Sequence, residues 1–447
     1  MFADLLRRFS GDRRGNVAII FGLSLIPAIF LTGMALDFSS AIQRRSRLAA
    51  AADAAALAAV TPAMMTQSST AANTAATNIF DAEASATGGA TNTTPTVTIT
   101  SSNGGLTRTA TVSFNASSVN NFPSILGQST WSISGSSTAT ATAAPNINFY
   151  LLLDNSPSMD LPATSAGITA MINATENAPS TGANANGCAF ACHESDPAAD
   201  DLGNPGGEDN YTLAKNLGVV TRIENMATAT QALMSTATTM EQSNNVTYEM
   251  AIYTFNSTGT TTVQNLTSNL TTAANSASTI DVLEVCYNNY LTCSNNNNDT
   301  DTNFDSAMSQ INGVMPNPGT GASSSTPQEV LFLVTDGVED KVDSTCSQPL
   351  DGTRCQQPFD TTYCTTIKNR GILIAVLYTE YLPLPASGTG SNTWYNTWIA
   401  PFQSQIGPNM QSCASPGLYF AVTTDGDITA AMQTLFQQAV ATARLSH

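Results

Sequence analysis

Asp154, Ser156 and Ser158 form a D-x-S-x-S run whose residue types suit one chemistry, the holding of a hard divalent cation. Carboxylate and hydroxyl oxygens match Mg2+, which takes octahedral oxygen coordination and keeps some of its waters. Alone the run is a weak signal, because Asp and Ser at strand ends commonly cap helices. Two later stretches supply matching oxygens. The apolar run Val330–Val334 (VLFLV) leads straight into Thr335-Asp336-Gly337, which puts a second acid at a strand end. The stretch Asp301-Thr302-Asn303-Phe304-Asp305-Ser306-Ala307-Met308 offers a threonine hydroxyl just before a helix. The candidate metal ligands are therefore Asp154, Ser156, Ser158, Thr302 and Asp336. Asp301 and Asp305 are nearby alternatives, with Asp305 expected to face solvent from its helix.

These residues need a scaffold that gathers chain ends. Residues 147–153 (INFYLLL) are apolar, aromatic and branched, the pattern of a strand buried on both faces. Similar runs recur at 248–255 (YEMAIYTF), 330–334 and 372–378 (ILIAVLY), with a fourth core strand at 418–422 and a pairing strand at 260–266. Helical patterns separate them at 165–174, 211–240, 303–314 and 428–445. Strands alternating with helices predict an α/β fold built on a doubly wound, mostly parallel sheet. Such sheets bind ligands at the carboxyl ends of their strands, which is where all three candidate loops fall.

Charge and cysteine usage narrow the function. The chain of 447 residues carries a formal charge of −18, and without residues 1–47 it holds 8 basic against 30 acidic groups, a net −22. Such a body has no basic face for phosphates, which excludes nucleic acid as a partner. Two histidines, His193 and His447, are too few for a histidine-rich zinc site or a Ser-His-Asp hydrolase. Hydrolysis at the metal would also lack a general base, since Asp154 and Asp336 are committed as ligands. The eight cysteines (188, 192, 286, 293, 346, 355, 364 and 413) favour disulfides in an exported domain, with Cys188 and Cys192, and Cys286 and Cys293, close in sequence. Cys188-x-x-x-Cys192-His193 is one residue too long for haem attachment.

The amino end reads as a membrane anchor. Residues 17–36 form an uncharged run of 20 between Arg13-Arg14 and Asp37, enough to span about 30 Å of hydrocarbon. It is too long for a signal-peptide core, and no A-x-A site follows closely. Residues 39–60 are alanine-rich and continue the helix as a stalk, with Arg44, Arg45 and Arg47 either meeting lipid headgroups or solvated. The acidic bulk and the cysteines set the orientation: amino terminus cytoplasmic, body outside. Residues 61–145 are rich in Thr, Ser, Asn and Ala. Alternating runs at 96–100 and 109–114 flank Asn103-Gly104-Gly105, and 131–134 is a third candidate strand, which predicts a helix and a small antiparallel sheet. The expected organisation is an anchor over 1–60, a linking region over 61–145 and a main domain over 146–447, with insertions near 175–210 and 338–365.

The stretch 146–445 resembles a von Willebrand factor A domain with a metal-ion-dependent adhesion site. D-x-S-x-S matches at Asp154, Ser156 and Ser158, T-x-x-x-x-[AG]-[LM] at Thr302 to Met308, and the strand-closing D-G at Asp336-Gly337. The resemblance implies an open coordination position completed by a partner's carboxylate, on Mg2+ or on Mn2+ or Ca2+. The amino end is similar to the TadE/TadG-like anchor of Tad (Flp) pilus assembly proteins, through Arg13-Arg14-Gly15-Asn16-Val17-Ala18-Ile19, Gly33-Met34-Ala35-Leu36-Asp37 and Ala51-Ala52-Asp53-Ala54-Ala55-Ala56-Leu57-Ala58. Processed pseudopilins of that system carry Glu five residues after the cleavage-site glycine. Here Ile20 stands five residues after Gly15, which implies a retained anchor. Together the resemblances imply a non-enzymatic, membrane-anchored pilus assembly factor whose partners are other pilus-assembly or pilin proteins. The alternative is a surface adhesin using the same site on host or surface ligands.

Overall fold

The computed structural model describes residues 15–123, 127–176, 187–195, 207–286, 300–381, 395–423 and 425–445. Arg13-Arg14, Cys293, His447 and much of the insertion near 175–210 lie outside these residues. The chain divides into two compact units, residues 1–143 and 144–447.

The first unit begins with one continuous helix, α1 (Gly15–Ala58), uninterrupted at Pro27. Its apolar first half is exposed, and the helix is long and apolar enough to cross a membrane by length and composition. Its second half is not a bare stalk. Leu48, Ala51, Ala52, Ala55, Ala56 and Ala59 are buried against α2 (Ser69–Ser85) and a three-stranded antiparallel sheet. That sheet runs β1 (Ala90–Ser102), β2 (Thr107–Val119) and β3 (Thr130–Thr142) in spatial order. Alternation decides its faces: Ala110, Val112 and Phe114 point inward, while Thr109, Thr111 and Ser113 meet Thr140, Thr138 and Ser136 across the strands at 3.0 Å each. Of the basic cluster, Arg45 and Arg47 are exposed and Arg44 is half-buried. Arg44 donates to the Gly88 and Val119 carbonyls and the Ser118 hydroxyl, and Arg45 to the Ser134 carbonyl.

The second unit is a mixed α/β layer structure. Its six strands are β4 (Ile147–Asp154), β5 (Tyr248–Asn256), β6 (Gly259–Thr267), β7 (Gln328–Thr335), β10 (Leu373–Thr379) and β11 (Tyr419–Val422). They lie in the order β6-β5-β4-β7-β10-β11. All neighbours are parallel except the edge pair β5 and β6. Successive side chains of β4 point to opposite layers. Phe149, Leu151 and Leu153 pack with α4 (Arg222–Asn244) and α9 (Ile428–Leu445), whereas Tyr150 and Leu152 pack with α6 (Phe304–Val314), α7 (Thr362–Lys368) and α8 (Gln403–Cys413). Two shorter helices, α3 (Ser165–Ala174) and α5 (Leu270–Ala277), complete the first of these layers.

The helical pattern over 211–240 is two helices. The first, Asn210–Asn216, ends at Gly218, which takes φ +69°. Thr221 and Glu224 then form a reciprocal cap that starts α4 afresh. Within the region expected as an insertion near 338–365, β8 (Val338–Val342) and β9 (Arg354–Pro358) form an antiparallel hairpin. Disulfides join Cys346 to Cys355 and Cys364 to Cys413, and Cys286 is also disulfide-bonded. Cys188 and Cys192 are buried.

Candidate metal centre

Chain direction explains why the candidate residues meet. The crossover after β4 runs through α4 on one face of the sheet to β5, and the crossover after β7 runs through α7 on the other face to β10. Neighbouring strands whose chains leave to opposite sides open a crevice at their carboxyl ends, the topological switch point of an α/β sheet. Leu153 pairs with Val334 in that register, so Asp154 and the Thr335-Asp336 turn end side by side.

Asp154, Ser156, Thr335 and Asp336 are fully buried, and Ser158 is the half-buried member. Asp154 Oδ1 accepts from the Ser156 N–H at 3.0 Å and from its hydroxyl at 2.6 Å. The Ser156 and Ser158 hydroxyls lie 2.9 Å apart, and Ser158 stands beside the Asp336 carboxyl. Thr335 donates its hydroxyl to Asp154 Oδ2 at 2.7 Å while accepting from the Gly337 N–H at 3.0 Å. Asp336 Oδ1 accepts from the Val338 N–H at 3.1 Å, and its Oδ2 is buried with no hydrogen-bond partner among the described residues.

Burial, reinforced by the charge of Asp336, pushes the Asp154 carboxyl well above the usual carboxylate range. Burial pushes Asp336 the same way. Two desolvated acids side by side disfavour double ionisation, so added positive charge at this point is favourable. A built-in cation lies close by. Arg222 at the start of α4 is buried, its Nη2 donates to the Glu380 carbonyl at 2.9 Å, and its Nη1 has no partner among the described residues. Burial pulls Arg222 below the usual arginine range, opposed by the Asp336 charge.

Thr302 is 2% exposed and sits on an isolated bridge to Asp340: the two exchange backbone hydrogen bonds at 2.9 and 2.8 Å. Among the described residues no hydrogen bond joins its hydroxyl to the Asp154–Asp336 group. The structure thus brings Asp154, Ser156, Ser158 and Asp336 together and ties Thr302 to the strand that follows Asp336. The two alternatives are engaged elsewhere. Asp301 pairs with Arg354 at 3.4 Å. Asp305 does not face solvent; it is half-buried and paired with Lys341, which also contacts Glu339 at 2.9 Å. Burial disfavours the lysine's charge, and the carboxylates of Glu339 on its own strand and Asp305 at the start of α6 offset this.

The donor set fits a hard cation: two carboxylates and serine hydroxyls, one carboxylate oxygen lacking a partner, and no sulfur or imidazole. Among the described residues no group of three or more His, Cys, Asp or Glu is arranged to hold a metal, so hydroxyl and water oxygens would supply the rest of the shell. Sequence reasoning missed the roles of Thr335, Arg222 and the hairpin. Thr335 carried a signal in its place directly before Asp336. Arg222 carried one as a rare basic residue at a helix start.

Solved structures similar to this chain include the vWF domain of the type V pili tip protein Mfa5 from Porphyromonas gingivalis, at 8% identity and TM-score 0.36, covering 68% of this chain and 97% of that one. The pilus adhesin SpaC from Lactobacillus rhamnosus GG aligns at 12% identity and TM-score 0.34 over 79% of this chain and 34% of its own length. The SpRpn10 VWA domain aligns at 8% identity and TM-score 0.31 over 66% of this chain and 95% of that one. The fold assignment rests on the strand order above. No curated protein sequence matches the chain. Residues 15–76 match the family model described as putative Flp pilus-assembly TadE/G-like, and the chain therefore carries a TadE/G-like segment at its amino end.

Proposed function

We propose that this protein is a membrane-anchored, non-enzymatic factor of Flp-type pilus assembly that grips a protein partner through a divalent cation at the ends of β4 and β7. The observation that carries the reading is the buried pair Asp154 and Asp336, bridged by serine hydroxyls at the switch point, with Asp336 Oδ2 unpartnered among the described residues. Asp154, Ser156, Ser158, Thr302 and Asp336 would hold Mg2+, or Mn2+ or Ca2+, directly or through water. Bound there, the cation supplies positive charge and a free coordination position for a carboxylate of a pilin or another pilus-assembly protein.

The chain's own residues do the rest. Thr335 and Ser156 fix the two Asp154 oxygens, and the Gly337 and Val338 N–H groups order the turn that carries Asp336. His193, the histidine among the described residues, is engaged by Asp209 at 3.0 Å, so no free imidazole is offered as a base. The TadE/G-like segment and the apolar first half of α1 support an anchor, with the amino end cytoplasmic and the bulk outside the inner membrane. The test is capture of partners from membranes by the full-length protein with Mg2+ and again with EDTA. Wild type should capture pilus proteins only with Mg2+, and Asp154→Ala should lose capture. Equal capture by Asp154→Ala in Mg2+ would refute the mechanism. Normal pili with lost attachment in a deletion strain would turn the reading to an adhesin.

A further inference from the structure

Thr302 is the one candidate ligand that the structure does not hydrogen-bond into the centre, and its two supports are both acids. Asp301 precedes it in the chain, and Asp340 is its bridge partner. All three lie inside the protein, at 8% exposure for Asp301, 2% for Thr302 and 5% for Asp340. Two buried carboxylates on either side of one residue repel each other, and the Asp340 charge also acts on the Asp336 carboxyl. Left uncompensated, they would push the threonine loop off the β8 edge.

Arg354 prevents this. It lies on β9, is 8% exposed, and its Nε donates to Asp340 Oδ1 at 2.7 Å. Its Nη2 contacts Asp340 Oδ2 as well, completing a bidentate fork, and reaches Asp301 Oδ2 at 3.4 Å. With its oxygen turned toward the guanidinium, the Gln356 amide accepts from Nε and Nη2 at 3.0 Å each. The neighbouring Cys355 is tied to Cys346, so the strand that presents the guanidinium is itself pinned. One planar cation therefore clamps both supports of Thr302, a geometry that the point charge of lysine cannot copy.

We propose that Arg354 is a positioning residue for the metal centre: by pairing with Asp301 and Asp340 it sets Thr302 against the Asp336 turn and thereby sets cation affinity without touching the cation. This rests on the reading that Asp154, Ser156, Ser158, Thr302 and Asp336 hold a divalent cation. Outer partners that orient ligands in this way typically change metal affinity about 10- to 100-fold when removed.

The experiment is calorimetric titration of the full-length, detergent-solubilised protein with Mg2+ alone, for wild type, Arg354→Lys, Thr302→Ala and the double variant. Arg354→Lys should weaken Mg2+ by about tenfold or more. Thr302→Ala should weaken it comparably, and the double variant should be no weaker than Thr302→Ala, because Arg354 acts through Thr302. A merely structural arginine would give losses that add. Additive losses, or an unchanged affinity in Arg354→Lys, would overturn the proposal. If Arg354→Lys fails to fold, Asp301→Asn removes only the longer contact and should weaken Mg2+ measurably, and unchanged affinity there overturns the proposal equally. Wild type that takes up no Mg2+ sinks the metal-site reading itself, and this inference with it.

Discussion

Gly337→Ala isolates how the Asp336 turn is held. Gly337 has φ +74°, in the left-handed region. Holding alanine there costs about 1–2 kcal/mol. The new methyl would also come within 2.7 Å of Ile406 Cγ2, 3.1 Å of Met410 Cγ and 3.3 Å of Met410 Sδ, all from α8. Those atoms are fully buried and have little room to retreat, and overpacking of this kind costs about 1–3 kcal/mol. The expected loss is therefore about 2–5 kcal/mol. Urea unfolding followed by circular dichroism measures it, with the second transition assigned by unfolding residues 1–143 separately in a protease-trimmed sample. Ile406→Leu keeps the side-chain volume but deletes the Cγ2 branch. Combined with Gly337→Ala it should recover about 1 kcal/mol or more, leaving the backbone strain. A loss under about 0.5 kcal/mol for Gly337→Ala would refute the strain argument. No recovery in the double variant would refute the assigned clash.

Two further outcomes are expected. Glu329 on β7 is 2% exposed, and burial pushes its carboxyl from 4.5 up to about 8. The folded state then holds a proton that the unfolded state releases, so its stabilising share is present below about pH 4.5 and is lost as pH rises to about 8. Glu329→Gln should leave melting near pH 5 almost unchanged and raise it near about pH 9, and an equal shift at both would refute the assignment. The Cys364–Cys413 disulfide closes a separation of 49 residues and Cys346–Cys355 one of 9. Replacing the first pair by serines should cost about 4 kcal/mol and the second about 1.5 kcal/mol less, read as the order of melting temperatures; the reverse order would contradict the loop-entropy account.

The sheet was legible because its signals are local. Residues 149–153 (FYLLL) are apolar or aromatic in unbroken succession, and a strand covered on both faces uses such a run. The D-x-S-x-S and D-G turns are equally local, since each closes such a strand. The hairpin of β8 and β9 was not legible, because VEDKV and RCQQP show no apolar pattern at all. What buries Asp340 is an arginine fourteen residues away, and what buries Glu339 is Lys341 beside it. Charge pairing across a hairpin leaves no period in the sequence. The same holds for Arg44 and Arg45, whose partners lie 44 to 89 residues along the chain. It holds for the disulfides too, since eight cysteines allow 105 pairings and spacing chooses none of them.

The arrangement at the switch point makes poor sense as stabilisation. Asp154 and Asp336 are both fully buried, both pushed toward their protonated forms, and their nearest compensation is an arginine whose own Nη1 lacks a partner among the described residues. Asparagine at either position would fill the same space without the repulsion. Some buried acids of the second unit have a basic partner, Asp340 with Arg354, Glu339 with Lys341 and Asp209 with His193, whereas burial pushes Asp160 and Glu329 up as it does this pair. The sequence can therefore neutralise acids where it needs to, and leaves this pair short of charge. Two such acids side by side at the ends of neighbouring central strands break the folding rules where an α/β sheet holds its ligands, which marks a site kept for something other than folding. In a body with a net charge of −22 beyond residue 47, the missing charge is positive, and its place is the end of two central strands. Under the proposed function, a cation held there would reverse the sign of the surface only where the strands end. An acidic partner repelled by the body at long range would then dock at that point.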